Sequence, residues 1–188
     1  MTHLGLLSHH VGDDRAAQAY GQQALDVALS LDLGWSVDLI DVFSVLGHAF
    51  LGLGQPAEAA ESYGQCLARH RKESRQHLIG EPLAGLARTA LAQGNPMGAL
   101  AYVDEILDYI ADHPARCSSF EPLRTYLTCG RVLLANGNPR TDEILDAAYH
   151  LLQERAATIQ DEDLRRSYLE TVPHHREIIA LWEEASHL

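Results

Sequence analysis

The stretch LAQGNPMGAL at residues 91–100 is one of four related segments that decide the fold of this chain. The others are LANGNPRTDEIL at 134–145, LGLGQPAEAA at 51–60 and SHHVGDDRAA at 8–17. Their glycines, Gly12, Gly54, Gly94 and Gly137, lie 42, 40 and 43 residues apart. A fixed period of 20–50 residues indicates stacked supersecondary units. The sequence therefore predicts an array of four similar units.

Small residues recur at fixed distances from the turn glycines. Seven residues before each glycine stand Gly5, Gly47, Ala87 and Gly130, and five after stand Ala17, Ala59 and Ala99, with Asp142 as the exception. Small side chains at recurring positions let two helices cross closely. Apolar residues around each turn follow helical spacing, as at Leu39, Val42, Phe43 and Leu46. Each unit is therefore predicted to be a pair of antiparallel helices.

The turns themselves carry residues that stop one helix and start the next. A glycine just past the end of a helix adopts the left-handed conformation. In the third and fourth turns the dipeptides Asn95-Pro96 and Asn138-Pro139 follow, with asparagine able to cap and proline suited to the first helical position. Each turn is thus predicted to reverse the chain between two helices. The second helix of the fourth unit is expected to slip in register, because Asp142 stands where the other units have alanine.

The ends of the array differ from its middle. We expect four units at about 1–33, 36–72, 80–112 and 120–155, followed by a C-terminal cap at 161–188 in which Pro173 separates two helices. In the first unit the first helix spans only about residues 2–10, which favours a truncated array over a genuine start, because terminal repeats normally carry a dedicated cap.

Composition restricts the function classes. The 188 residues carry a net charge of −12, which argues against nucleic acid and against anionic membrane surfaces as partners. It favours partners with basic patches. No apolar run approaches the ~20 residues that a membrane-spanning helix needs, and the N-terminus lacks a signal-peptide pattern. The three cysteines, Cys66, Cys117 and Cys129, are expected to be free thiols in a reducing cytoplasm.

Catalytic and metal motifs are weak. The adjacent histidine pairs His9-His10 and His174-His175 point to different sides of a helix, and no H-x-x-x-H motif or cysteine–histidine cluster is expected, so the histidines are interpreted as surface residues and no metal is expected. The acidic run at 161–163 is interpreted as a helix cap. Tyr63, Tyr102, Tyr109 and Trp35 are predicted to belong to the core. No catalytic residue and no cofactor are predicted.

The glycine turn, the leucine–small pair before it and the alanines after it resemble the tetratricopeptide repeat over about residues 2–155. The usual repeat has 34 residues, whereas the longer period here resembles the enlarged repeats of kinesin light chain and of bacterial signalling ATPases. The tail LLQERAATIQDEDLRRSYLETVPHHREIIALW at 151–182 resembles the ends of repeat arrays attached to STAND or AAA-type regulators and SARP-like transcriptional activators. The resemblance implies an all-α, right-handed superhelix of antiparallel helix pairs.

The resemblance also implies a binding groove lined by the first helix of each unit. Carried over by position, the groove residues are Asp41, Ser44, His48, Glu81, Arg88, Arg124 and Arg131. Stacked arginines could hold a carboxylate in a bidentate manner. The alternative is that Glu81 and Asp41 pair with Arg88 and His48. These residues would then form only a solvated, salt-bridged face, whose ion pairs contribute little to stability.

Together these observations predict a non-enzymatic protein-interaction scaffold or sensor, acting as the regulatory part of a larger bacterial signalling or transcription-regulating protein. Its partner would be a protein or peptide, or a neighbouring domain of its parent protein. Two alternatives stay open. A peptide or small-molecule receptor would show a pocket lined by Arg88 and Arg131 without acidic partners. A self-association module would show an open apolar face on the first unit and would form a homodimer.

Overall fold

The computed structural model describes residues 1–31, 37–112 and 121–186. Over these residues the chain forms ten α-helices and one short 3-10 turn at Gln76–Leu78, and it forms no strand. The helices are α1 (Thr2–His10), α2 (Asp14–Ser30), α3 (Val37–Gly52), α4 (Pro56–Lys72), α5 (Gly80–Ala92), α6 (Pro96–Asp112), α7 (Pro122–Ala135), α8 (Thr141–Ala157), α9 (Glu162–Glu170) and α10 (Pro173–Ser186).

The chain divides into two compact units, a first unit at Met1–Ser119 and a second unit at Phe120–Leu188. Each of the four predicted helix pairs, called a repeat here, is smaller than these units. In the first unit, consecutive helices from α1 to α6 pack in hairpins, and α3 also contacts α1 and α5. In the second unit, α7 packs on α8, and α10 packs on both of them and on α9. None of the described helices combines the length and the apolar character needed to cross a bilayer.

The four predicted turns are built alike. Gly12, Gly54, Gly94 and Gly137 all have positive φ, between 58° and 83°. In each turn the backbone N–H of the residue after the glycine donates to a carbonyl five residues earlier, at 2.8–3.0 Å. This is the bond that closes a helix end on a left-handed residue, where a side chain other than glycine would be strained. The predicted reversal of the chain at each glycine is confirmed.

The helices after the turns begin as predicted in three repeats and differently in the fourth. Asp13 accepts a hydrogen bond from the Ala16 N–H, and Asn95 accepts one from the Gly98 N–H, at 2.9 and 2.8 Å. In the fourth repeat the second helix begins at Thr141, so the prediction that Pro139 occupies the first helical position is wrong. The cause is a local turn, because the Asn138 carbonyl accepts hydrogen bonds from both the N–H and the hydroxyl of Thr141.

This later start explains the exception in the repeat pattern. Ala17, Ala59 and Ala99 are fully buried, whereas Asp142 is exposed. The buried residues of α8 are Thr141, Leu145, Ala148, Leu152 and Ala156. The predicted slip in register is therefore confirmed.

The recurring small residues lie where helices touch. A Cβ atom built on Gly47 would lie 2.7 Å from the Tyr63 ring, and one on Gly130 would lie 2.7 Å from a methyl of Leu145. On a third helix, α5, a Cβ atom built on Gly85 would also collide with the Tyr63 ring. Tyr63 of α4 is thus inserted between α3 and α5, and it is fully buried. Close helix crossing at the small residues is confirmed.

The first helix is less covered than the others. Leu46, Leu86 and Cys129 are buried, but Leu4 at the equivalent position is exposed. The reason is that α1 packs on α2 and α3, whereas Leu4 is exposed together with Leu7 and with Val11, the residue that follows the helix. A leucine at the repeat position is therefore not sufficient for burial where a neighbouring element does not pack on that face.

The second unit closes on its last helix. Ile178 of α10 is fully buried in a cluster with Leu123, Leu127, Ala148 and Leu152. The Trp182 ring stacks on the Tyr149 ring with centroids 3.9 Å apart. Before this helix, Asp161 caps α9 by accepting a hydrogen bond from the Leu164 N–H at 2.9 Å. The predicted capping role of the acidic run at 161–163 is confirmed.

Candidate functional site

The structure distributes the seven predicted groove residues over three first helices in two units. Asp41, Ser44 and His48 lie on α3, Glu81 and Arg88 lie on α5, and Arg124 and Arg131 lie on α7. In the first unit they separate into two side-chain clusters, each completed by residues of α4. In the second unit they form two separate ion pairs.

The first cluster, named here the tyrosine–arginine cluster, contains His48, Tyr63, Glu81 and Arg88. Glu81 accepts a hydrogen bond from the Arg88 guanidinium at 2.7 Å, because two residues seven apart on a helix share one face. The Tyr63 hydroxyl lies 2.6 Å from Nδ1 of His48, and Nε2 of His48 lies 3.5 Å from Glu81. Arg88 is also hydrogen-bonded to Tyr63. The four side chains therefore close a ring of polar contacts.

This ring is buried and strongly ionic. Burial lowers the pKa of the Arg88 guanidinium, but the charge of Glu81 and the contacts with Tyr63 outweigh it, so that the pKa lies above its ordinary value. Arg88 is therefore charged at every accessible pH. The imidazole ring of His9 on α1 stacks on that of His48, with ring centroids 5.0 Å apart. Nδ1 of His9 lies within hydrogen-bond distance, 2.6 Å, of a carboxylate oxygen of Asp14. These contacts connect α1, α3, α4 and α5.

The second cluster, named here the cysteine–histidine cluster, contains Asp41, Ser44, Cys66 and His70. Nε2 of His70 lies 3.2 Å from a carboxylate oxygen of Asp41. The Ser44 hydroxyl donates to the Cys66 sulfur at 3.2 Å. Cys66 and His70 are four residues apart on α4 and share one face, and both are fully buried. The ligand atoms of Asp41, Cys66 and His70 all lie within 4.8 Å of one another.

The thiol in this cluster is not poised for nucleophilic attack. Burial raises the pKa of Cys66 to about 12, and the charges of Asp41 and Glu81 act in the same direction. The hydrogen bond from Ser44 lowers the pKa but does not offset these effects. At neutral pH the side chain is therefore a protonated thiol, and the thiolate is the reactive form.

The second unit presents its arginines differently. Arg124 pairs with Glu121 at 3.1 Å, and both side chains are largely covered. Arg131 of α7 pairs with Glu177 of α10, and the side chain of Arg131 is 47% exposed. Arg131 is thus the most accessible of the predicted groove arginines.

The structure corrects the expectation that the histidines lie at the surface. His48, His70 and His175 are buried, so the interpretation of the histidines as surface residues is wrong for these three. They are buried because each has a polar partner: Tyr63, Asp41 and the Tyr168 carbonyl, respectively. A cysteine–histidine cluster does exist, and its sequence signal was the four-residue spacing of Cys66 and His70.

The predictions for the aromatic residues have different outcomes. Tyr63 belongs to the core as predicted, and Tyr102 and Tyr109 are partly buried. Trp35 lies outside the described residues. The importance of Tyr63 for the polar ring could not be recognised from its spacing, because its hydroxyl partners come from α3 and α5.

Both arginines that the receptor alternative needs without acidic partners have one. A receptor pocket would leave Arg88 and Arg131 without acidic partners, but Arg88 pairs with Glu81 and Arg131 pairs with Glu177. The alternative pairing of Glu81 with Arg88 and His48 is present. Asp41 pairs with His70 instead of His48.

Comparison with solved structures supports the fold. A protein of Podosopora anserina, described as a kinesin light chain with nearly identical TPR-like repeats, superposes with a TM-score of 0.60 at 18% identity, over 98% of this chain and 92% of its own. A single-residue variant of that protein has the same score and identity, over 100% and 95%. No protein-family model and no curated protein matches the chain.

At this identity the likeness shows the fold alone. The predicted fold class, an all-α array of tetratricopeptide-like helical hairpins, is confirmed. The similarity to STAND, AAA-type or SARP-like regulators remains a prediction from the sequence.

Proposed function

We propose that this chain is a non-enzymatic interaction scaffold that binds a protein or peptide through its first helices. The observation that carries the proposal is the exposed side chain of Arg131 on α7. The equivalent position in the other three repeats holds Leu6, His48 and Arg88. A surface ion pair such as Arg131–Glu177 contributes little to stability. A carboxylate of a partner can therefore replace Glu177 at small cost.

Rigidity of the hairpins supports this function. Tyr63 inserted between Gly47 and Gly85, together with the buried polar ring, fixes three consecutive helices of the first unit. In the second unit, Ile178 and Trp182 fix α10 against α7 and α8. Binding to a surface that is already ordered loses little conformational entropy.

Charge restricts the chemistry of the partner. The chain carries a net charge of −12, which attracts partners with basic patches and speeds their association. The proposed partner is therefore a basic protein segment that also presents a carboxylate to Arg131. The neighbouring domain of a larger bacterial signalling protein in the cytoplasm is one such partner, a context supported by the sequence resemblance alone.

Affinity capture with three baits tests the proposal. The baits are the unaltered chain, Arg131→Ala and Arg166→Ala, the last being a matched control because Arg166 is also exposed, at 63%, and also paired with an acid. We expect a partner that the unaltered chain and Arg166→Ala both recover. With that purified partner, Arg131→Ala should bind about tenfold more weakly. Equal affinity of all three chains would contradict a role for Arg131.

Self-association is a second candidate, favoured by one observation. Leu4, Leu7 and Val11 form an exposed apolar row along α1. Two copies of the chain could bury these rows against each other across a twofold axis. Light scattering at increasing concentration distinguishes the candidates. The scaffold proposal expects a constant mass near 20.7 kDa, whereas self-association expects a rising mass that Leu7→Glu abolishes.

A further inference from the structure

The cysteine–histidine cluster brings three different metal-ligating groups together. Cys66 and His70 project from one face of α4, and Asp41 reaches them from α3. We propose that Asp41, Cys66 and His70 form a binding site for a divalent transition-metal ion, for which zinc is the best chemical match. This site belongs to the first unit, whereas Arg131 belongs to the second, and the proposal does not rest on the proposed scaffold function.

The geometry is close to that of a coordinated ion. With Zn–S bonds of about 2.3 Å and Zn–N or Zn–O bonds of about 2.0–2.2 Å, tetrahedral coordination separates ligand atoms by roughly 3.3–3.8 Å. The observed separation of His70 and Asp41 is 3.2 Å, and all separations are within 4.8 Å. Side-chain rotations of about 1 Å at the ligand atoms are sufficient to complete the site.

The ligand set selects the class of metal. A thiolate sulfur and an imidazole nitrogen favour zinc and its neighbours over calcium or magnesium, which prefer oxygen ligands only. Three protein ligands leave a fourth position for water, as in open zinc sites. The Ser44 hydroxyl already donates to the Cys66 sulfur, and a hydrogen bond of this kind stabilises the negative charge of a metal-bound thiolate.

A structural role for the Asp41–His70 pair alone leaves part of the cluster unexplained. Nδ1 of His70 is buried and has no hydrogen-bond partner among the residues that the structure describes. Buried polar atoms are almost always satisfied in folded proteins. Coordination of an ion through Nδ1 would satisfy this atom and leave the hydrogen bond between Nε2 and Asp41 in place.

Binding has a defined chemical balance and a structural consequence. The S–H bond of Cys66 breaks, an S–Zn bond forms, and the proton passes to the solvent. The side chain of Asp41 is 26% exposed, whereas Cys66 and His70 are fully buried, so the ion enters past Asp41. Once bound, the ion cross-links α3 to α4 and thereby stabilises the first unit.

Cobalt absorption tests the proposal directly. The full chain, stripped of metal and kept reduced, is titrated with Co²⁺, which gives a charge-transfer band only when a thiolate coordinates it. We expect a band that saturates at one Co²⁺ per chain and that Zn²⁺ displaces, because zinc binds such sites more tightly. Cys66→Ala and His70→Ala should lose the band. Cys129→Ala, which removes a buried cysteine of the second unit, should keep it.

Two further measurements keep the outcome decisive. Circular dichroism checks that each variant retains its helices, and Asp41→Asn supplies a third ligand change at a partly exposed side chain that leaves the core intact. We expect Asp41→Asn to bind Zn²⁺ about tenfold more weakly or worse. Absence of the band in the unaltered chain, its persistence in Cys66→Ala, or unchanged Zn²⁺ affinity in Asp41→Asn would overturn the proposal.

Discussion

Tyr63 shows how a single residue organises several helices. Its ring occupies the space that Gly47 and Gly85 leave by having no side chain, and its hydroxyl joins His48 and Arg88. One side chain therefore fills a helix crossing and also satisfies polar groups that would be costly to bury alone. The sequence revealed the two halves separately, as a glycine column and as an aromatic core position, but it did not reveal the contact between them.

Substitution of Gly47 by alanine should destabilise the protein. Alanine is the better helix former by about 1 kcal/mol, but its Cβ would lie 2.7 Å from the Tyr63 ring, which is enclosed on its other side by Gly85. Overpacking of this kind costs about 1–3 kcal/mol, so we expect a net loss of about 1 kcal/mol in the free energy of unfolding, measured by urea denaturation.

Gly64→Ala is the matched control. Gly64 lies on α4, within a helix like Gly47, but a Cβ atom there would meet no described atom within 4 Å. The same substitution should therefore stabilise the chain by about 0.5–1 kcal/mol through helix propensity alone. If both variants shifted stability in the same direction, close packing at Gly47 would not be the cause.

At the scale of the elements, the turn glycines were the most informative part of the sequence. Only glycine adopts positive φ at little cost, so its recurrence placed four chain reversals correctly before any contact was known. The start of α8 could not be placed in the same way. It depends on Asn138 accepting hydrogen bonds from Thr141, which competes with a helical start at Pro139 and has no distinct residue signature.

Helix α10 should depend on pH through His175. Burial lowers the pKa of this imidazole, Arg155 acts in the same direction, and the Tyr168 carbonyl and Glu121 act in the opposite one. Because the folded state holds the ring neutral, the unfolded state binds the proton more readily. Stability contributed by His175 is therefore complete above pH 6.5 and is lost as the pH falls through the lower folded value.

Thermal denaturation between pH 7.5 and pH 5 measures this dependence. The unaltered chain should lose more stability on acidification than His175→Gln, because glutamine has no proton to take up. His150→Gln is the control, since His150 is an exposed residue on α8. Parallel pH profiles for the unaltered chain and His175→Gln would contradict a coupling between α10 and the charge of His175.

At the scale of the whole molecule, the repeat predicted the architecture better than the site. Periodic glycines and small residues report local backbone needs, which sequence displays directly. The groove residues depend on partners far along the chain. Asp41 contacts His70, and Arg131 contacts Glu177, 46 residues away. The position of a residue in a repeat therefore indicated the helix it occupies but not whether its side chain is displayed or paired.

The scaffold proposal and the self-association candidate also differ in the surface that a partner covers. Arg131 lies on α7, whereas the exposed apolar row of Leu4, Leu7 and Val11 lies on α1. These surfaces belong to different units of the chain. Binding at one of them should leave the backbone of the other unchanged.

Hydrogen–deuterium exchange of the chain, alone and with the partner recovered by affinity capture, tests the central claim most directly. The scaffold account predicts slower amide exchange in α7, at residues 122–135, and unchanged exchange in α1, with the effect on α7 reduced for Arg131→Ala. Slower exchange confined to α1, or an effect on α7 that Arg131→Ala leaves intact, would contradict it.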